Sequence, residues 1–166
     1  MVTDELTTLA TQAAELLRSR DEQVAVAEGA CGGLISASLL SVPGASAYYL
    51  GGTVIYTLAA NHAFLHGAVE APPDMRGASE PFALHLARCA VAKLDATWGI
   101  GEGGAAGPTG NRYGDPAGHA WVAVAGPVEA TRHVLTGSDE RLANMVTFAA
   151  TALATLIEVI EHQPTP

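Results

Sequence analysis

Residues 24–56 read VAVAEGACGGLISASLLSVPGASAYYLGGTVIY, and this stretch decides the fold. Val24 to Ala27 is a short unbroken apolar run ending at Glu28, the pattern of a strand buried on both faces. A loop with the adjacent pair Gly32-Gly33 opens directly into an apolar segment, Cys31 to Ser41, which reads as a helix. The turn Val42-Pro43-Gly44 stops that helix. A second apolar run, Ala47 to Tyr56, then reads as another strand, its Gly51-Gly52 pair permitting close backbone approach. Strand, glycine loop and helix start together form a pocket floor. Its backbone N–H groups are expected to face outward, which favours a phosphate, a carboxylate or a developing oxyanion.

The pattern continues outward in both directions. Residues 3–19 carry Leu6, Leu9, Ala13, Leu16 and Leu17 on one helical face, with Asp4 and Glu5 in the first turn. Leu58 to His66 reads as helical, and Ala71-Pro72-Pro73 breaks the chain. Residues 78–94 place Phe82, Leu86, Cys89, Ala90 and Lys93 at helical spacing, with Lys93 at the edge. Ala96 to Gly101 reads as a strand, and Glu102 to Ala117 as a long glycine- and proline-rich loop. Gly118–Ala125 and Val128–Thr136 read as strands around Gly126-Pro127. A last helix starting near Ser138 carries Leu142, Met145, Val146, Ala149, Leu153, Leu156, Ile157 and Ile160 on one face and stops before Pro164. This alternation predicts an α/β fold with helices on both faces of a mixed, mostly parallel sheet, as one domain over residues 1–166.

Composition narrows the class. A chain of 166 residues buries roughly 70% of its unfolded surface on folding. Its 49% hydrophobic and 15% charged content is globular, and aromatics at 5% leave a core of small side chains. A net charge of −9 argues against a nucleic-acid partner, which would select a basic face. Two cysteines, Cys31 and Cys89, are no disulfide framework. Asp4 and Glu5 stand where a signal peptide would be basic, and no apolar stretch reaches the roughly 20 residues that span a bilayer. A cytoplasmic domain with no membrane partner is expected. No cofactor motif is present. His62 and His66 are four apart with no evident third ligand, so no metal site is expected.

The run Ala27, Glu28, Gly29, Ala30, Cys31, Gly32, Gly33, Leu34 resembles the first motif of the CinA C-terminal-domain family, A-E-S-C-T-G-G-L. Known members of that family are nicotinamide-nucleotide amidases. The resemblance covers about Leu6 to Ile160 and implies a three-layer α/β/α domain. It implies a serine nucleophile where this chain has Gly29. The family's T-Y-S-N-x-A-K motif aligns with Ile55 to Asn61. Tyr56 is kept, and Asn61 stands where the lysine base would be. The third loop, T-G-I-A-G-P-G-G, aligns with Gly103, Gly104, Ala105, Ala106, Gly107, Pro108, Thr109 and Gly110, so the threonine becomes Gly103. The polar run that follows, with Asn111, Arg112, Tyr113 and Asp115, resembles one branch of the family with a longer loop. At the last helix Arg141 is kept, and Met145 replaces a second arginine.

A serine amidase needs a nucleophile, a base and oxyanion donors. Gly29 has no side chain, and asparagine takes no proton at neutral pH. Cys31 is the alternative nucleophile, since a thiol at a helix N-terminus has a lowered pKa; the competing reading is a small apolar filler. Glu102, at a strand end, is the alternative base for a water. Tyr56 completes the candidate catalytic set. Glu28, Gly29, Ala30, Gly32, Gly33, Tyr56, Asn61, Gly103, Gly104, Thr109, Gly110, Asn111, Arg112 and Arg141 are the expected ligand-binding residues. The polar loop reads equally as a turn-rich surface. Three functions follow: a domain that keeps a pocket for a small anionic or nucleotide-like ligand without the amidase residues; an amidohydrolase with chemistry relocated to Cys31 or Glu102; or a homo-oligomeric interaction module.

Overall fold

The computed structural model describes residues 2–164; Met1 and residues 165–166, the ends of the expected domain span, lie outside the described residues. Helix α1 (Asp4–Ser19) starts at Thr3, whose hydroxyl accepts the Leu6 N–H, and is followed by β1 (Val24–Glu28). Next come α2 (Leu34–Ser41), a short 3-10 turn, β2 (Tyr49–Val54) and α3 (Leu58–Leu65). Helix α4 (Glu80–Leu94), capped by Ser79, leads into β3 (Trp98–Ala105), then β4 (His119–Ala125), β5 (Ala130–Leu135) and α5 (Arg141–Glu161).

The five strands run in the order β2-β1-β3-β4-β5. β1 pairs in parallel with β2 and β3, while β4 is antiparallel to β3 and to β5. Four strands therefore share one direction and β4 alone opposes them. The sheet is mostly parallel in strand direction and evenly divided in pairing.

Strand alternation sorts the side chains into two layers. Val24, Val26, Trp98, Ile100, Val122 and Val124 pack against α1, α2 and α5. Ala25, Ala27, Ala123 and Ala125 lie on the α4 side. There β3 carries Gly99 and Gly101, at which a Cβ would be driven into the carbonyl oxygens of Ala87 and Ala83. The alanine- and glycine-rich composition is what lets α4 settle directly on the backbone of β3. Lys93 donates to the His66 carbonyl at 3.0 Å, tying α4 to the end of α3.

Strands β2 and β5 are each shorter at both ends than the sequence predicts, and three further boundaries differ with consequences for the site. The helix expected from Cys31 begins at Leu34, because Gly32 and Gly33 take φ of 64° and 102°, a left-handed turn that L side chains avoid. Strand β3 runs on through Glu102, Gly103 and Gly104 to Ala105, although glycines argue against strands, because β4 pairs with it throughout. Helix α5 begins at Arg141, leaving Leu142 63% exposed; Asn144 is the residue buried there, donating to the Ala106 and Ser138 carbonyls. The 21 residues of α5 are also long and apolar enough to span a bilayer by composition, contrary to the expectation that no stretch is. Its apolar face, with Phe148, Leu153, Leu156 and Ile160 fully buried, is covered by the fold.

Candidate functional site

Glu28, the last residue of β1, and Glu102, within β3, are register partners. Parity puts both side chains on the α1/α2/α5 face, and both are 0% exposed. Glu28 accepts from the Ile35 N–H at 3.1 Å, the Ser36 N–H at 3.0 Å and the Ser36 hydroxyl at 2.6 Å, and so caps α2. Glu102 Oε2 accepts from the Gly29 N–H at 3.0 Å and the Cys31 N–H at 2.8 Å. The amides of the glycine loop therefore turn inward. In place of the expected outward-facing seat of residues 29–33, the Gly29 and Cys31 amides are taken by Glu102 and the Gly32 amide by the Gly29 carbonyl, while Glu28 takes the Ile35 and Ser36 amides of α2. Among the described residues only the Ala30 and Gly33 amides of this loop lack a protein acceptor.

Glu102 Oε1 has no hydrogen-bond partner. Burial raises this carboxyl to about 7, the Glu28 charge adds to the rise, and the Cys31 and Gly29 amides oppose it. The neighbouring Cys31 thiol is fully buried and is pushed well above its usual range, first by burial and then by the Glu102 and Glu28 charges. Burial and the two neighbouring carboxyl groups thus work against Cys31 as a nucleophile, opposing the helix-end effect expected from the sequence. Glu102 likewise faces away from the open side of the sheet, so it is no base for a bound water there.

The open side holds a cavity of about 810 Å³ at the C-terminal ends of β1, β2 and β3. Of the residues expected from sequence, Gly29, Ala30, Tyr56, Asn61, Gly103, Gly104, Asn111 and Arg112 line it. Glu28, Cys31, Gly32, Gly33, Glu102, Thr109, Gly110 and Arg141 do not. Glu28, Cys31 and Glu102 belong to the opposite face, and Gly110 is packed on the Asp115 carbonyl. Arg141 stands just outside, donating to the Gly107 carbonyl at 2.7 Å and reaching the Tyr56 hydroxyl at 3.5 Å. Met75, Gly77, Phe82 and Tyr113, with residues 55 and 57–59, complete the wall. Sequence reasoning missed the first two because residues 74–79 carry no periodicity, only the sharp break after Pro73.

The polar loop after Gly110 is a built rim. Asn111 Oδ1 accepts the N–H groups of Tyr113 and Asp115 at 2.9 and 3.1 Å, closing an Asx turn. Arg76 grips Asp115 with both Nη atoms, and that hydrogen bonding holds the Asp115 carboxyl below the ordinary range. The Tyr113 ring lies between two guanidiniums, 5.5 Å from Arg76 and 5.1 Å from Arg112. Arg112 Nη2 donates to the Tyr113 hydroxyl at 3.0 Å and lowers its pKa. Among the described residues that line the cavity there is no Ser, Cys, Lys, His, Asp or Glu, and Arg112 is the one cation. His62 and His66 lie outside it, their rings stacked at 4.6 Å.

The CinA C-terminal domain model matches residues 6–160. A CinA-like protein of Salinibacter ruber is 40% identical over 142 residues, 84% of this chain and 34% of that protein. One of Prochlorococcus marinus is 39% identical over 119 residues, 72% of this chain and 28% of that protein. The chain spans about a third of the length of these curated relatives. A CinA superfamily protein of Klebsiella pneumoniae superposes with TM-score 0.87 at 25% identity, covering 95% of this chain and 99% of that one. A competence/damage inducible protein of Agrobacterium tumefaciens gives the same TM-score, 0.87, and identity, 25%, over 98% and 99% of the two chains. By the extent of the domain match and the relatives' identity, the chain belongs to the CinA C-terminal domain family.

Proposed function

We propose that this domain binds a small anionic or nucleotide-like ligand in the cavity beside Gly29, and that it does not hydrolyse nicotinamide mononucleotide by the serine–lysine chemistry of the amidases its sequence resembles. One observation carries the reading: no side chain lining the cavity offers a serine or cysteine nucleophile, or a lysine or histidine base. Gly29 and Asn61, at the nucleophile and base positions, both face the cavity and supply neither. The Thr57 hydroxyl at the wall is engaged as the N-cap of α3, accepting the Ala60 N–H at 3.1 Å. Removing such a nucleophile and base costs on the order of a million-fold in rate. Ammonia release from nicotinamide mononucleotide by the pure chain tests this, with an active family amidase as positive control. No release above the uncatalysed rate is expected, and robust turnover overturns the reading.

A self-association reading has its own support. Edge strand β2 and helix α3 leave Val54, Tyr56, Leu58 and Phe64 between 43% and 77% exposed. Light scattering during size exclusion decides it: a dimer or larger is expected, and a monomer at all concentrations rejects it.

A further inference from the structure

We propose that the Arg112 guanidinium, and not the glycine loop, is the seat of the ligand's anion, and that the ligand is a small ring-bearing oxyanion. This deepens the reading of the cavity as a ligand site and rests on it. Most of the loop's amides are already taken, Gly29 and Cys31 by the Glu102 carboxylate and Gly32 by the Gly29 carbonyl, which leaves the Ala30 amide as the one free donor of this loop at the cavity among the described residues. An anion must then be met chiefly by a side chain.

Charge placement singles out one. The chain has 17 acidic and 8 basic residues, yet no acid lines the cavity and one cation does. Arg20, Arg76, Arg88 and Arg132 are each paired with a carboxylate; Arg112 has none among the described residues. Its one hydrogen bond, to the Tyr113 hydroxyl, uses Nη2 and leaves the rest of the fork free for a bidentate contact. An exposed arginine normally loses much rotamer freedom on binding. Here the Tyr113 ring supports it from below, Arg76 supports the ring, and Asp115 and Asn111 fix the turn, so much of that ordering precedes the ligand.

The remainder of the wall mixes apolar surface with the Thr57, Asn61 and Asn111 side chains. Phe82, Met75 and the exposed ring of Tyr56 suit a planar group, and the Asn61 amide adds one polar contact. Arg141 is the rival anion seat. It lies outside the lining and already donates to the Gly107 carbonyl.

The test is calorimetric titration of the whole chain with two matched pairs: adenosine 5′-monophosphate against adenosine, and benzoate against benzamide. The wild type is compared with Arg112→Gln, Arg141→Gln and, as a distant paired control, Arg132→Gln. At least one anion should bind more tightly than its neutral partner by about tenfold or more, the scale of a charge-assisted bidentate contact at a rim. Which pair shows it separates phosphate ester from carboxylate. Arg112→Gln should abolish that preference while the other two variants keep it. An unchanged preference in Arg112→Gln, or its loss in Arg141→Gln alone, overturns the proposal and leaves the ligand-binding reading standing. Failure of both anions to bind the wild type overturns both.

Discussion

Replacing Glu102 by glutamine tests the electrostatics under the cavity floor. Glu102 is fully buried, one oxygen holds the Gly29 and Cys31 amides, and the other meets no donor. Burial, with the Glu28 charge adding, raises its pKa from 4.5 to about 7. A carboxyl raised on folding binds its proton more tightly in the folded chain. Its contribution to stability is therefore complete below about pH 4.5 and is lost as pH climbs through about 7. At about 1.4 kcal/mol per pH unit, that interval is worth about 3 kcal/mol at most.

Glutamine has the shape of the protonated acid, keeps an acceptor for the two loop amides and does not titrate. The wild type should thus lose up to about 3 kcal/mol relative to Glu102→Gln between pH 5 and pH 8, with the variant the more stable at the alkaline end. Urea unfolding of both proteins at half-unit pH steps measures it, and groups common to both cancel in the difference. Stability curves that run parallel from pH 5 to pH 8 would refute the reasoning, because Glu102 would then keep one charge state throughout.

Two further outcomes follow from burial and packing. Mass-spectrometric alkylation at neutral pH should label both Cys31 and Cys89 slowly until denaturant is added, since both are buried and burial raises both thiols; rapid labelling of Cys31 alone would restore it as a nucleophile. Gly101→Ala should cost at least about 2 kcal/mol in urea unfolding, because the new methyl meets the Ala83 carbonyl of α4 and neither backbone can yield cheaply; a neutral result would mean that α4 does not sit directly on β3.

The order of elements was legible because the apolar runs are short and cleanly punctuated. Val24 to Ala27 could be little but a buried strand, and the turn at Pro43-Gly44 fixed the end of α2. What escaped was set by tertiary pairing. Gly103 and Gly104 read as loop, and only the antiparallel partner β4 makes them strand. The cavity wall at Met75 and Gly77 comes from a segment without periodicity, positioned by the Arg76–Asp115 pair, a contact across 39 residues. One miss was avoidable. Counting by twos from Trp98 and Ile100 puts Glu102 on the core face, away from the open side, so strand parity already argued against it as a base.

That parity explains how the same loop can have the shape of an anion site without the capacity of one. A strand end, a left-handed glycine turn and a helix start leave amides converging on one point, and something negative must meet them. Here β1 ends in Glu28, β3 carries Glu102 at the same register level, and the two carboxylates take four amides of the loop and the first turn of α2 from inside. Burial, with the neighbouring Glu28 charge adding, holds the Glu102 proton to about pH 7. The loop is thereby fixed by the chain's own charge. On the other face the cavity is lined by backbone, ring surfaces, the Thr57, Asn61 and Asn111 side chains and one guanidinium, that of Arg112. If Arg112 is the seat of an external anion, as proposed, its substitution should remove the anion preference while the main chain of the loop is left untouched.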